Sequence, residues 1–297
     1  MFVSEALAVA SATSIALSSM FISELKGRVA LMRLARWQFI IAFLMTGCIS
    51  LALGGWRTVG FEEFKLLAAS SFFGIAIAST TYFAAIYTAG PRLTALLFSL
   101  TSPFALAFGY AAYGETITLQ QGVGVALVLA GIVLAIGSPR LSDGATKAGA
   151  ATSLLRWGIL FGVITALGQA LGGIFARPAM ASGVEPFTAV ALRAGLAAGF
   201  FLLLALFPFG RSKEPQTFRL KDLGISACSS FFGNCLGMSL LMAALESGDV
   251  GIVSTLSSMT PVVILPMVWA RTGKRPSAKA WAGGIVAIAG TALISLH

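Results

Sequence analysis

Ten apolar runs follow one another along this 297-residue chain, with little polar sequence between them. Each is about 20 residues long, the length an α-helix needs to cross the hydrocarbon core of a bilayer. The runs predict helices over 3–23, 36–55, 66–88, 92–113, 119–138, 154–176, 186–209, 222–246, 250–271 and 278–296. Most connections are short and leave no room for an aqueous domain. The longest polar stretch between early and late helices, 138–153, reads SPRLSDGATKAGAATS, and its Pro, Gly, Ser and charge mark a linker. It sets a first half at 1–138, a linker at 139–153 and a second half at 154–297, with five helices in each half.

The two halves repeat one another. Phe72-Phe73-Gly74 matches Phe231-Phe232-Gly233, and Gly90 matches Gly248. Ser99 and Pro103 match Ser257 and Pro261. Gly114, Gly124 and Gly131 match Gly273, Gly283 and Gly290, and Arg36 pairs with Arg193. A collinear set at offsets of 157 to 159 indicates internal duplication. Five helices per repeat is an odd number, so the second repeat enters from the opposite face. Inverted repeats let one fold open to either side of a membrane, which is the logic of alternating access.

Several of these residues also carry a family resemblance. They are the Gly114-Glu115 turn, the spacing of Gly122, Gly124 and Gly131, the mid-helix Pro103 and Pro261, and Arg36. The pattern resembles the EamA-type members of the drug/metabolite transporter superfamily over the whole chain. The resemblance implies ten helices in two five-helix repeats. It also implies import or export of amino acids or other metabolites, and a central cavity among the first, third, fourth, sixth, eighth and ninth helices. The second repeat departs from the pattern, with Gly273-Lys274 where the first has Gly-Glu.

Composition agrees with lipid as the solvent. The chain is 57% hydrophobic and only 10% charged, with a mean hydropathy of +0.91. Soluble domains carry roughly 25% charged residues. The net charge of +9 does not point to nucleic acid, because the basic residues sit between apolar runs as topology-setting loop charges do. Sixteen of them follow odd-numbered helices and four follow even-numbered ones. By the positive-inside rule both termini then face away from the cytoplasm; the family resemblance implies the reverse. Glu5 stands where a signal peptide would carry a basic residue, so the first run is expected to stay as a helix.

Chemistry is scarce. Cys48, Cys228 and Cys235 lie in apolar runs and read as small packing residues. The one histidine is His297, which leaves no internal His for catalysis or for a transition metal. Neither a cofactor nor a metal is expected. All eleven acids fall at helix ends or in loops, which argues against proton coupling through a buried carboxylate. Glu5, a turn inside the first helix, is the nearest candidate for such coupling, but reads first as interfacial. Arg177 and Arg193 read as snorkelling to the interface, with binding of a carboxylate as the alternative if either reaches the cavity.

Uncharged polar residues are the better candidates. Gln169 and Asn234 fall near the middle of their helices, where lipid cannot satisfy an amide. They can bind substrate or bridge helices. Tyr82, Ser99, Thr101, Ser257 and Thr260 are further candidate ligands, although such hydroxyls also bond their own helix backbone. Pro103 and Pro261 are expected to kink their helices and to free carbonyls beside those hydroxyls. The glycines of the fifth and tenth helices form small faces for close packing.

These features exclude an ATP-driven pump, since no phosphate-binding Gly-rich loop is present. An intramembrane enzyme would need an activated nucleophile or paired acids, a channel would need a selectivity ring, and a transport-free scaffold needs neither. The reading that fits best is an all-α membrane carrier of the bacterial inner membrane, monomer or homodimer. It moves a small polar metabolite by alternating access.

Overall fold

The computed structural model describes residues 2–25, 28–136, 148–206, 219–273 and 277–295. All regular structure among them is helical. The helices are α1 (Phe2–Leu25), α2 (Leu31–Leu53), α3 (Phe61–Ser71), α4 (Ala78–Phe98), α5 (Thr101–Tyr113), α6 (Leu119–Ile136) and α7 (Ala148–Ala181). The second half continues with α8 (Pro186–Leu206), α9 (Leu220–Ser230), α10 (Met238–Ser247), α11 (Val250–Ser257), α12 (Thr260–Thr272) and α13 (Ala278–Ser295). Two π-helical turns, Phe72–Ile77 and Phe231–Gly237, join α3 to α4 and α9 to α10.

Among the described residues, six helical spans are long and apolar enough to cross a membrane: Val3–Ile22, Met32–Leu53, Phe61–Tyr82, Leu155–Ala181, Pro186–Leu206 and Leu220–Ser247. Leu119–Leu134, Val250–Ile264 and Ala278–Ile294 are shorter apolar helices. Large apolar side chains such as Leu44, Leu51, Leu203, Ile285 and Ile288 stand exposed on these helices. An aqueous surface does not tolerate so many in contiguous bands, but lipid does.

Several boundaries differ from expectation. α2 starts at Leu31 because Leu31-Met32 prolong the apolar run across Arg33. α7 starts at Ala148, inside the segment read as linker, because AGAA is helix-forming sequence next to an apolar run. Residues 139–147 of that linker lie outside the described residues. Gly114 and Gly273 close α5 and α12 with the same left-handed φ of 66°, a conformation suited to glycine.

Helical assignment is unbroken from Ala78 to Phe98, although a break is expected at Gly90-Pro91. The packing of this helix against α7 shows that it does not run straight. A Cβ on Gly168 would lie 2.8 Å from the Phe73 carbonyl, and one on Gly158 would lie 2.5 Å from the Ala89 methyl, so the two helices run antiparallel. A Cβ on Gly162 would lie 2.5 Å from Leu97. A straight helix would carry Leu97 about 12 Å beyond Ala89, away from Gly162.

The chain forms two compact units. The first comprises 1–72 and 175–248, the second 73–174 and 249–297. Each unit draws on both sequence halves, so the units of packing are not the repeats. In the first, α2 packs on α8 and α1 lies along α9 and α10, with Ala8, Ala12, Phe201, Met242 and Leu245 buried. In the second, α5 packs on α11 and α6 on α13 around Val128, Ile132, Leu256, Ala287 and Ile294.

The α6–α13 crossing is built from glycine. A Cβ on Gly290 would lie 2.6 Å from the Gly124 carbonyl, and one on Gly124 would lie 2.8 Å from the Gly290 carbonyl. A Cβ on Gly131 would lie 2.5 Å from the Gly283 carbonyl. The crossing is therefore antiparallel, and each glycine meets the sequence equivalent of the other pair's member. That is the signature of a two-fold axis passing between equivalent helices.

Candidate functional site

In the first unit, α1 clasps the π-helical turn of the second repeat. A π turn shifts the backbone bonding register and leaves carbonyls for outside donors. Ser11 Oγ donates to the Gly237 carbonyl at 2.7 Å, and Ser14 Oγ to the Phe232 carbonyl at 2.6 Å. Ser18 Oγ donates to the Ser229 carbonyl at 2.8 Å. Gln38 Nε2 reaches Ser229 Oγ at 3.0 Å, while Ser230 Oγ donates to the Gln38 carbonyl at 2.7 Å. Asn234 lies within this turn, half-buried.

A matching arrangement occurs in the second unit, where α7 runs along the π-helical turn of the first repeat. Gly168 is the close-approach residue facing the Phe73 carbonyl, and Thr165 and Thr81 share a hydrogen bond of 2.8 Å. Gln169 follows Gly168 and is half-buried. Tyr82 follows Thr81, and its ring meets Phe98 edge-on with centroids 6.0 Å apart.

Helical assignment stops at Phe98 and resumes at Thr101, and stops again at Ser257 and resumes at Thr260. Each interruption lies just before a proline, Pro103 or Pro261. Proline has no N–H for the carbonyl four residues back, and the local donors take over that task. The Ser102 N–H reaches the Ser99 carbonyl at 3.3 Å, and Thr260 Oγ1 donates to the Ser257 carbonyl at 3.1 Å. Thr101 Oγ1 donates to the Phe98 carbonyl at 2.7 Å, and Ser257 Oγ to the Ser254 carbonyl at 3.1 Å. Ser99 is buried, and Ser102 and Thr255 pair through their hydroxyls across α5 and α11.

The second unit thus holds Gln169, Tyr82, Ser99, Thr101, Ser257, Thr260, Pro103 and Pro261, whereas Asn234 belongs to the first. The hydroxyls of Thr101, Ser257 and Thr260 are engaged with carbonyls three residues back, the role that a broken backbone ladder demands.

Several residues have roles the sequence reading missed. Ser11, Ser14 and Ser18 recur at three- and four-residue spacing, the helical period that marks one face, and that spacing was the available signal. Glu115 Oε2 accepts the Val250 N–H at 3.0 Å and so caps α11. The Gly-Glu turn therefore has a structural task that Gly273-Lys274, a cation at the matching place, would not perform.

Two charged residues need correction. Arg193 does not snorkel. It lies seven residues inside α8, is 3% exposed, and its guanidinium meets the Met242 sulfur at 3.2 Å. Seven residues of rise, about 10 Å, put it too deep for the interface. Glu5 is likewise not interfacial in its surroundings: it is 5% exposed, covered by neighbouring helices. Arg177 Nε donates to the Gly248 carbonyl at 2.9 Å, at the C-terminal end of α10.

Apolar helices with exposed apolar faces, and with polar groups turned onto other helices, define a multi-pass membrane protein. Residues 3–137 and 156–296 each match the EamA-like transporter family, and the chain belongs to that family. Its members are transporters of small molecules rather than enzymes. The fold is similar to that of a crystal structure described only as a protein, at 18% identity and a TM-score of 0.79, covering 99% of this chain and 95% of that one. No curated protein matches the chain in sequence.

Proposed function

We propose that this protein carries a small polar metabolite, an amino acid or a related compound, across the bacterial inner membrane. It does so by alternating access between two inverted five-helix repeats, ten helices in all. The observation that carries this reading is the glycine crossing of α6 and α13. Equivalent helices of the two repeats meet antiparallel there through equivalent residues, as an inverted duplication requires. The paired π turns, each clasped by the first helix of the other repeat, support the same reading.

Gln169 and Asn234 are the proposed hydrogen-bonding residues for substrate. Tyr82, Ser99, Thr101, Ser257 and Thr260 are proposed as secondary contacts. Pro103 and Pro261 set the bends that place them. The buried Glu5 removes the ground for excluding proton coupling, so the driving force is read by comparing uptake with and without a pH gradient. Replacing Gln169 or Asn234 by Ala is expected to lower uptake into proteoliposomes several-fold while the yield of folded protein is retained. Wild-type rates in both variants would rule out these amides as ligands.

A further inference from the structure

Arg193 is a buried cation without a counter-ion. No carboxylate among the described residues lies within ion-pair reach of it. Its Nε is buried with no hydrogen-bond partner, and its Nη1 meets a thioether, the Met242 sulfur, at 3.2 Å. A thioether is a weak acceptor and offsets little of the cost of desolvating a guanidinium. The acids on the helices packed against α8 are turned elsewhere. On α3, Glu62 pairs with Lys65 at 2.8 Å, and on α10, Glu246 is exposed. Asp222, a buried acid of the same unit, has Arg28 at 3.8 Å. The unit thus supplies a counter-ion to Asp222 and none to Arg193.

A second unsatisfied donor lies one turn away. The Met242 contact fixes which turn of α10 Arg193 faces, and α8 packs on α10. Ser239 stands three residues before Met242, so the two side chains are neighbours on one side of α10. Ser239 is buried, and its Oγ has no partner. Other buried hydroxyls, such as those of Thr46 and Thr255, donate to the carbonyl four residues back. Ser239 does not, so its proton is free for a partner outside its own helix. Ala194, Met242 and Leu245, close in sequence on the two helices, are buried too. Guanidinium and hydroxyl therefore both hold hydrogens to donate, in an apolar enclosure that offers sulfur as the acceptor.

We propose that Arg193 and Ser239 bind a chloride ion between α8 and α10. The ion accepts from the Arg193 Nε–H and from the Ser239 hydroxyl. Its single negative charge cancels that of the guanidinium, which removes the cost of an unpaired cation at membrane depth. Chloride fits this enclosure better than a molecular anion does. It is one atom, accepts from any direction, and brings no further polar atoms that Ala194, Met242 and Leu245 would leave unsatisfied. The bound ion joins α8 to α10 and is a resident part of the first unit, separate from whatever solute is carried.

The test is thermal stability of the purified full-length protein as sodium chloride replaces sodium gluconate at constant ionic strength. Tm is expected to rise with chloride and to saturate, and to do the same with bromide. Ser239→Ala is expected to raise the half-saturating chloride concentration several-fold. Arg193→Gln is expected to abolish the dependence, with the same Tm in chloride and in gluconate. A Tm that is flat, or that changes without saturating, overturns the site. So does a chloride response that survives in Arg193→Gln. Should that variant fail to fold, an unshifted half-saturation in Ser239→Ala overturns the site in its place. Crystals grown in bromide give an independent readout. An anomalous peak within hydrogen-bond distance of Arg193 Nε and Ser239 Oγ is expected, and its absence there overturns the site.

Discussion

At the scale of single residues, the polar groups divide into those the fold consumes and those it leaves over. Glu115 is consumed. Its carboxylate caps α11 through the Val250 N–H, and its removal exposes a helix N-terminus within the second unit. Glu115→Ala should therefore cost about 1 kcal/mol, read as a lowered Tm in a thermal scan, while Glu115→Gln keeps an acceptor and most of the stability. An unchanged Tm for the Ala variant would refute the capping role. The sequence made the Gly114-Glu115 turn visible but not its purpose, because the capped helix begins 135 residues later. Arg193 and Glu5 were misread for a related reason. Distance from a helix end is legible in a sequence, whereas burial depends on which neighbours cover that end. The serines of α1 were legible in principle, since their spacing marks one face.

Among the helices, apolar length and the Gly and Pro breakers located most elements within a few residues. The π turns were not legible. Phe72-Phe73-Gly74 and Phe231-Phe232-Gly233 showed as a repeated motif, but nothing in their composition distinguishes a π from an α register. What selects it is the tertiary partner, a serine or a glycine from α1 or α7 at the freed carbonyls. The glycine faces of α6 and α13 were legible as packing surfaces, and the structure identifies each as the other's partner. The contact tolerates no side chain, because the atoms a Cβ would meet are backbone carbonyls that cannot move aside. Gly290→Val should destabilise the protein by about 1–3 kcal/mol and lower the yield of monodisperse protein. Gly199→Ala, with nothing within 4 Å, serves as the neutral control. Equal thermal stability of the two variants would argue against the crossing.

The whole molecule is a duplicated chain whose repeats interleave. The first helix of each repeat clasps the π turn of the other, and equivalent helices cross through equivalent glycines. Duplication was legible because glycine, proline and paired phenylalanines kept their spacing; the interleaving was not, because it is a property of packing. Sidedness is the other property at this scale. The count of 16 basic residues against four predicts that both termini lie outside the cytoplasm. Moving Arg193 into α8 leaves three in the smaller group and strengthens the bias. Reporter fusions at both ends should be active only when the reporter is one that works outside the cytoplasm; activity of a cytoplasmic reporter at both ends would reverse the assignment.

The account stands on transport itself, and the most direct measurement is uptake into proteoliposomes holding the purified protein. A panel of radiolabelled amino acids and related metabolites is presented with and without a pH gradient. The account predicts saturable uptake of at least one small polar metabolite, accelerated when the same solute is preloaded inside, because a carrier returns faster loaded than empty. Flux that rises linearly with concentration, or that matches protein-free liposomes for every solute, would contradict it.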